Sequence, residues 1–310
     1  MALVLNDGRF VSRTGGPQLN PTTDPNPPMK SMTSVITKSA LVLAAFAGMN
    51  AFAGTPAKAP APAPAPASSG ALFDTLGASA SVGYDTRYYW RGLSRADNTV
   101  SSGLNLDLPL SEQLSLGVGA NYIHSVENNT ATGEAGSDNE YSELNLTTGL
   151  TYDLGGAKVG VNYTNYQYFD GFSAGAVSGG DFDVSSANEV GTTLSTSLGG
   201  LNLSAGWYYN FTVGGSYAQI GADFPIEVTS FLSLVPAVQM GYGWDHFAEP
   251  TVGRTGGLTH ILPSISAPIK LTDSATLTPY VAYNISLDSR HAFNGEDADI
   301  FGGVRLSVSF

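Results

Sequence analysis

From Gly77 to Phe310 apolar and polar residues alternate with a period of two, the signature of strands with one apolar face. In the first such segment Ala78, Ala80, Val82, Tyr84, Tyr88 and Trp90 share one face. Ser79, Ser81, Asp85, Arg87, Tyr89 and Arg91 share the other. The second sets Val100, Leu104, Leu106 and Leu108 against Ser101, Gly103, Asn105 and Asp107. The third sets Leu114, Leu116, Val118, Ala120 and Tyr122 against Ser115, Gly117, Gly119 and Asn121. The same alternation recurs through Leu146, Val161, Leu194, Leu203, Ile220, Val238, Ile265, Val281 and Leu306. The pattern predicts about twelve strands of about 9 to 12 residues, the length a tilted membrane strand needs. Pro236, Pro263, Pro268 and Pro279 fall inside predicted strands and mark bulges or strand ends, because each lacks a ladder donor.

Alternation alone also fits a soluble sandwich, and three features point to a membrane barrel instead. Connections alternate between short (109–113, 153–156, 199–200, 225–231, 272–274) and long (124–140, 170–184, 245–256, 288–298). Aromatics gather at strand ends: Tyr88, Trp90, Tyr122, Tyr163, Tyr168, Trp207, Tyr209, Phe211, Tyr242 and Trp244 toward the long connections. Tyr152, Phe224, Phe231 and Phe310 lie toward the short ones. Two such girdles are expected where rings meet lipid headgroups. Finally, Val304, Leu306, Val308 and Phe310 are spaced by two at the chain end, which resembles the signal read by the barrel-assembly machinery of Gram-negative bacteria. The expectation is an all-β, antiparallel transmembrane β-barrel of about twelve strands with both termini periplasmic, in the cell outer membrane.

The segments before the barrel read separately. Residues 1–28 are polar and aperiodic, as an over-long gene start would be. Residues 29–53 carry Lys30 and Lys38, an apolar run from Ala40 to Ala47, and Ala51-Phe52-Ala53 as an A-x-A cleavage pattern. That run is too short to span a bilayer and predicts a signal peptide. Residues 54–76 hold an Ala-Pro alternation, which favours an extended polyproline spacer. The barrel domain is then 77–310.

Composition narrows the chemistry. Charged residues make up only 13% of the chain, there is no cysteine, and the formal net charge of −13 argues against nucleic-acid binding. The polar strand face is rich in Ser, Thr, Asn, Gln and Gly and carries mixed charges: Asp85, Glu143, Glu189 and Asp223 against Arg87, Arg91, Lys158 and Arg305. These eight are the candidate pore-lining residues, either selecting solutes or pairing across the interior. A barrel of twelve strands lies between filled eight-stranded and open sixteen-stranded ones, so a narrow or partly occluded passage for small polar solutes is expected.

The remaining acids fall mainly in long connections: Glu127, Glu134, Asp138 and Glu140; Asp170, Asp181 and Asp183; Asp288, Glu296, Asp297 and Asp299. The stretch 294–299 lacks the full spacing of a calcium loop, so neither metal nor cofactor is expected. A lipid hydrolase needs a nucleophile and a His base; the adjacent His124 and Ser125 point to opposite faces of a strand, so no catalytic residue is assigned. Outer-membrane lipids and lipopolysaccharide, with small polar solutes, are the expected partners. A structural or adhesive barrel without transport is the alternative.

The stretch Tyr89-Trp90-Arg91-Gly92-Leu93-Ser94 resembles the aromatic-Arg-Gly-aliphatic-Ser sequence that follows the first strand in a family of Gram-negative outer-membrane proteins. The resemblance covers residues 78–123 and implies a barrel with a porin or transport role. Physically, Gly92 ends the strand and lets the chain turn, while Arg91 anchors the turn against acidic groups.

Overall fold

In a computed structural model, described over residues 77–126, 141–169, 185–212, 214–246, 256–287 and 297–310, the alternating segments form antiparallel strands. The twelve long ones are β1 (Gly77–Trp90), β2 (Leu93–Pro109), β3 (Leu114–Ser125), β4 (Ser142–Asp153), β5 (Ala157–Phe169) and β6 (Ser186–Leu198), then β7 (Leu201–Asn210), β8 (Gly215–Asp223), β9 (Ser233–Trp244), β10 (Gly256–Ser266), β11 (Ala275–Ser286) and β12 (Ala298–Ser309). Each pairs with its neighbours in sequence, and β12 returns to β1 from Ser79↔Ser309 to Asp85↔Gly303. The sheet is therefore closed, which pairs the backbone of the wall without an exposed edge.

Burial is inverted relative to a soluble protein. Leu104 is 64% and Ile300 69% exposed on the outside, whereas Glu143 and Glu189 are each 1% exposed within. An apolar exterior around a polar interior is stable only when the exterior meets lipid. Tyr122, Tyr163, Trp207, Tyr242 and Trp244 are exposed toward the long-connection end, and Tyr152, Phe224, Phe231 and Phe310 toward the end bearing the termini. Both expected girdles are thus present on the surface.

The prolines act as strand punctuation, each in its own way. Pro268 separates β10 from the two-residue ladder Ile269–Lys270, and Pro225 separates β8 from Ile226–Glu227. Between β10 and β11 the ladder skips from Ile261↔Ile285 to Ser264↔Ala282, opposite Pro263. Pro236 and Pro279 stay inside their strands and keep their carbonyls in use, accepting from Phe224 and Ala267 at 3.1 and 2.9 Å.

One element departs from the sequence reading. The ladder from β1 to β12 stops at Asp85, and that from β2 to β3 stops at Thr99. Between them residues 87–97 pair with each other and turn into the barrel, while Asn98 still accepts from Val126 and Thr86 from Gly302. A register shift between Tyr88 and Tyr89 leaves Arg95 as an extra residue on the β2 side. Tyr88 and Trp90 were expected in the lipid-facing girdle; both are buried inside, and Tyr168 with them. The alternation itself is intact, but both faces of the hairpin are covered by protein. Tyr88 and Trp90 pack with Ile123, Tyr166 and Tyr168 on one wall, while Tyr89 packs with Leu262, Ala282 and Phe301 on the other.

The signal segment, the Ala-Pro tract, the acidic connections 127–140 and 170–184, and most of 288–298 lie outside the described residues. Asp299, grouped above with those connection acids, is instead a half-buried member of β12.

Candidate functional site: an inserted hairpin and its ionic seat

The tip of the inserted hairpin is Arg91-Gly92, with φ of 52° and 78°. Positive φ at both central residues is the type I′ turn, whose twist suits a two-residue hairpin. Glycine at the second position has a further cause. A β-carbon on Gly92 would lie 2.7 Å from Cβ of His260 on β10, so the tip rests directly on the far wall.

Arg91 is held there by side chains from the wall. Its two terminal nitrogens donate to both carboxylate oxygens of Glu189 on β6, each at 2.6 Å. Nη1 also lies 3.1 Å from Nε2 of His246. Its guanidinium carbon sits 4.7 Å above the Trp90 ring, 4.5 Å from Tyr208 on β7 and 4.6 Å from Tyr217 on β8. The Glu189 carboxylate accepts a further bond from the Tyr166 hydroxyl at 3.1 Å. A desolvated forked pair that fills the acceptor sites and stacks on ring faces is the geometry in which Arg outperforms Lys.

Space for these rings comes from absent side chains. A β-carbon at Gly191 would approach Tyr208 Cδ1 to 2.6 Å, so Tyr208 lies flat over a glycine of the adjacent strand.

The other predicted charges fall into separate groups. Glu143 accepts from Asn145 at 2.6 Å, from Tyr88 at 3.4 Å and from Tyr141. Beside it Arg95 lies 5.9 Å from the Tyr168 ring and 5.4 Å from Trp90. At the base of the hairpin Arg87 donates to Asp97 at 2.6 Å and to Asp299 at 3.0 Å, and Tyr89 donates to Asp299 at 2.9 Å. Asp85 accepts from Tyr280 and feels the charge of Arg305. Nearer the terminus-bearing end, Lys158 lies 3.6 Å from Asp153, and Asp223 accepts from Asn202 at 2.8 Å.

Of the eight candidates, Arg91 and Glu189 are brought into a direct pair. Sequence reasoning missed Arg95, Asp97, His246, His260 and the inner tyrosines. Their signal was parity: Tyr166 and Tyr168 occupy the strand face opposite Tyr163, and Tyr208 the face opposite Trp207 and Tyr209.

On the terminus side of this cluster the interior is lined by small polar residues. Asn105, Asp107, Gly117, Gly119, Thr147, Gly149, Thr151, Asn162 and Thr193 surround a cavity of about 80 Å³ that reaches Tyr208. His124 pairs with Ser142 at 2.8 Å, and Ser142 is fully buried. Among the described residues no group of three or more metal-ligating side chains converges.

A closed antiparallel barrel, apolar outside and polar inside, is the transmembrane barrel of the outer-membrane type. No family model matches the chain, and no curated protein matches it in sequence. Solved structures similar to it include an outer membrane channel from Pseudomonas putida F1, with 12% identity and a TM-score of 0.48 over 79% of this chain and 99% of that one. The translocator domain of the autotransporter NalP from Neisseria meningitidis matches with 10% identity and a TM-score of 0.44, over 90% and 98% of the two chains. The KdgM porin in complex with disordered oligogalacturonate matches with 8% identity and a TM-score of 0.43, over 75% and 99%. These are likenesses of chain trace, and no residue role is carried across from them.

Proposed function

We propose that this chain is an outer-membrane channel for small polar solutes, held closed by its own β1–β2 hairpin. The observation that carries this reading is the contrast along the axis. A cavity of about 80 Å³ bordered by Asn105, Asp107, Thr147 and Asn162 lies on the terminus side of the interior, and the buried side chains of the hairpin, anchored by Arg91 and Glu189, lie beyond it. A barrel serving only as a wall has no need of an interior cavity bordered by small polar side chains. On this reading Asp85, Lys158, Asp223 and Arg305 line the passage, and Arg87, Arg91, Glu143 and Glu189 govern the plug. Both termini are periplasmic, the long connections meet lipopolysaccharide, and the terminal Val304, Leu306, Val308 and Phe310 present the assembly signal.

The test is single-channel recording of refolded protein in planar bilayers. The intact chain is expected to be mostly closed, and a variant with residues 88–96 replaced by a short Gly-Ser turn to conduct. A second reading, a structural barrel without transport, is favoured by how completely the plug is buried. Absence of conductance in the shortened variant would select it.

A further inference from the structure

Most of the side chains that hold Arg91 come from the barrel wall and not from the hairpin. Glu189, Tyr208 and Tyr217 belong to three adjacent wall strands, β6, β7 and β8, with Tyr208 and Tyr217 directly paired in register. The ladder sets where these side chains leave the wall, and contacts outside the hairpin position them: Tyr208 lies against Gly191 and Gly206 with its ring 6.3 Å from that of Tyr217, and Glu189 accepts from Tyr166. A two-oxygen carboxylate flanked by ring faces is a site for a planar, forked cation, and a spherical ammonium fits it poorly.

The occupant is attached differently. The hairpin's backbone ladders to β12 and β3 end at Asp85 and Thr99, so side chains at its tip hold it across the interior. Arg91 also adopts φ of 52°, a left-handed conformation that is strained for a non-glycine residue. The turn carries that strain at the one residue that enters the seat.

We propose that Glu189, Tyr208, Tyr217 and His246 form a recognition site for a guanidinium-bearing solute, occupied in cis by Arg91, and that such a solute opens the channel by displacing Arg91. The site is a property of the wall, whereas its gating consequence rests on the channel reading above.

Two measurements separate the two. First, Arg91→Ala empties the seat, and ethylguanidinium is added to the refolded variant in detergent. Binding by calorimetry is expected, with Tm raised by about 5–10 °C at a hundredfold excess over Kd. Ethylammonium should bind at least about tenfold more weakly, and the R91A/E189Q double variant should show no shift. Equal effects of the two cations, or none, overturn the site. If R91A refolds poorly, the refolding yield becomes the readout: rescue by ethylguanidinium alone supports the site, and equal yields overturn it.

Second, argininamide is added to wild-type protein in a planar bilayer, with lysinamide as control. A rise in open probability with argininamide alone is expected. No rise, while R91A itself conducts, overturns the gating. A shortened-hairpin barrel that conducts nothing, with R91A still binding ethylguanidinium, would remove the channel reading and leave the site standing.

Discussion

At the scale of single residues the decisive contrast is between ion pairs inside and outside the barrel. Lys270 and Asp273 meet at 2.7 Å in an exposed turn, where Lys270 holds the Asp273 carboxyl below its ordinary range. Water and salt screen such a pair, so Lys270→Ala is expected to leave the melting temperature in detergent unchanged. Arg91 and Glu189 are both buried, and removing one strands the other. Glu189→Ala is therefore expected to cost about 3–5 kcal/mol, read as a fall in melting temperature and as faster proteolysis of the hairpin. Arg91→Lys is also expected to be destabilising, because an ammonium reaches both carboxylate oxygens of Glu189 poorly and does not stack on Tyr208 and Tyr217. Gly92→Val places a branched side chain at φ of 78° against His260, and is expected to unseat the hairpin and raise conductance.

At the scale of elements, each strand divides its residues between lipid and interior by parity. A charge introduced at Leu104 meets hydrocarbon; Leu104→Arg is expected to cost about 2–4 kcal/mol near the bilayer midplane, measured by refolding into vesicles. The adjacent Asn105 lines the interior cavity, so Asn105→Lys should leave folding intact and alter ion selectivity instead. The β1–β12 seam closes the barrel, and Phe310 ends it with an exposed ring while its backbone N–H donates to Ala78 at 2.9 Å. Because that bond uses backbone atoms, Phe310→Ala is expected to spare refolding in detergent and to reduce the amount of barrel inserted in cells. An equal loss in both settings would assign Phe310 to stability and not to assembly.

For the whole molecule, the interior holds the inserted hairpin and, on its terminus side, a small cavity, with charges contributed by β1, β2, β4, β5, β6, β8 and β12. If the hairpin governs the passage, Arg87→Gln combined with Arg91→Gln removes two cations while Asp85, Glu143 and Glu189 remain. The reversal potential in a salt gradient should then shift toward cation selectivity. An unchanged potential would mean that these two arginines do not face the conducting path.

Much of this was legible along the chain, because period-two alternation is a local property and a barrel repeats one local rule twelve times. The number of strands, the outward face, most of the girdle residues and the turning of the chain at Gly92 follow from neighbours in sequence. The anchoring of Arg91 by an acid was also anticipated from residue chemistry. Which acid, and in what setting, was not. Glu189 lies 98 residues away, and only closure of the barrel brings it to the hairpin tip. The inward fold of residues 87–97 was equally hidden, since alternation states that Tyr88 and Tyr89 face opposite ways but cannot state what each one faces. The sequence by itself determined a membrane barrel and its inside and outside, through local periodicity. The tertiary structure alone decided that the interior is plugged and what holds the plug, because contacts across a closed sheet join residues that no local pattern relates.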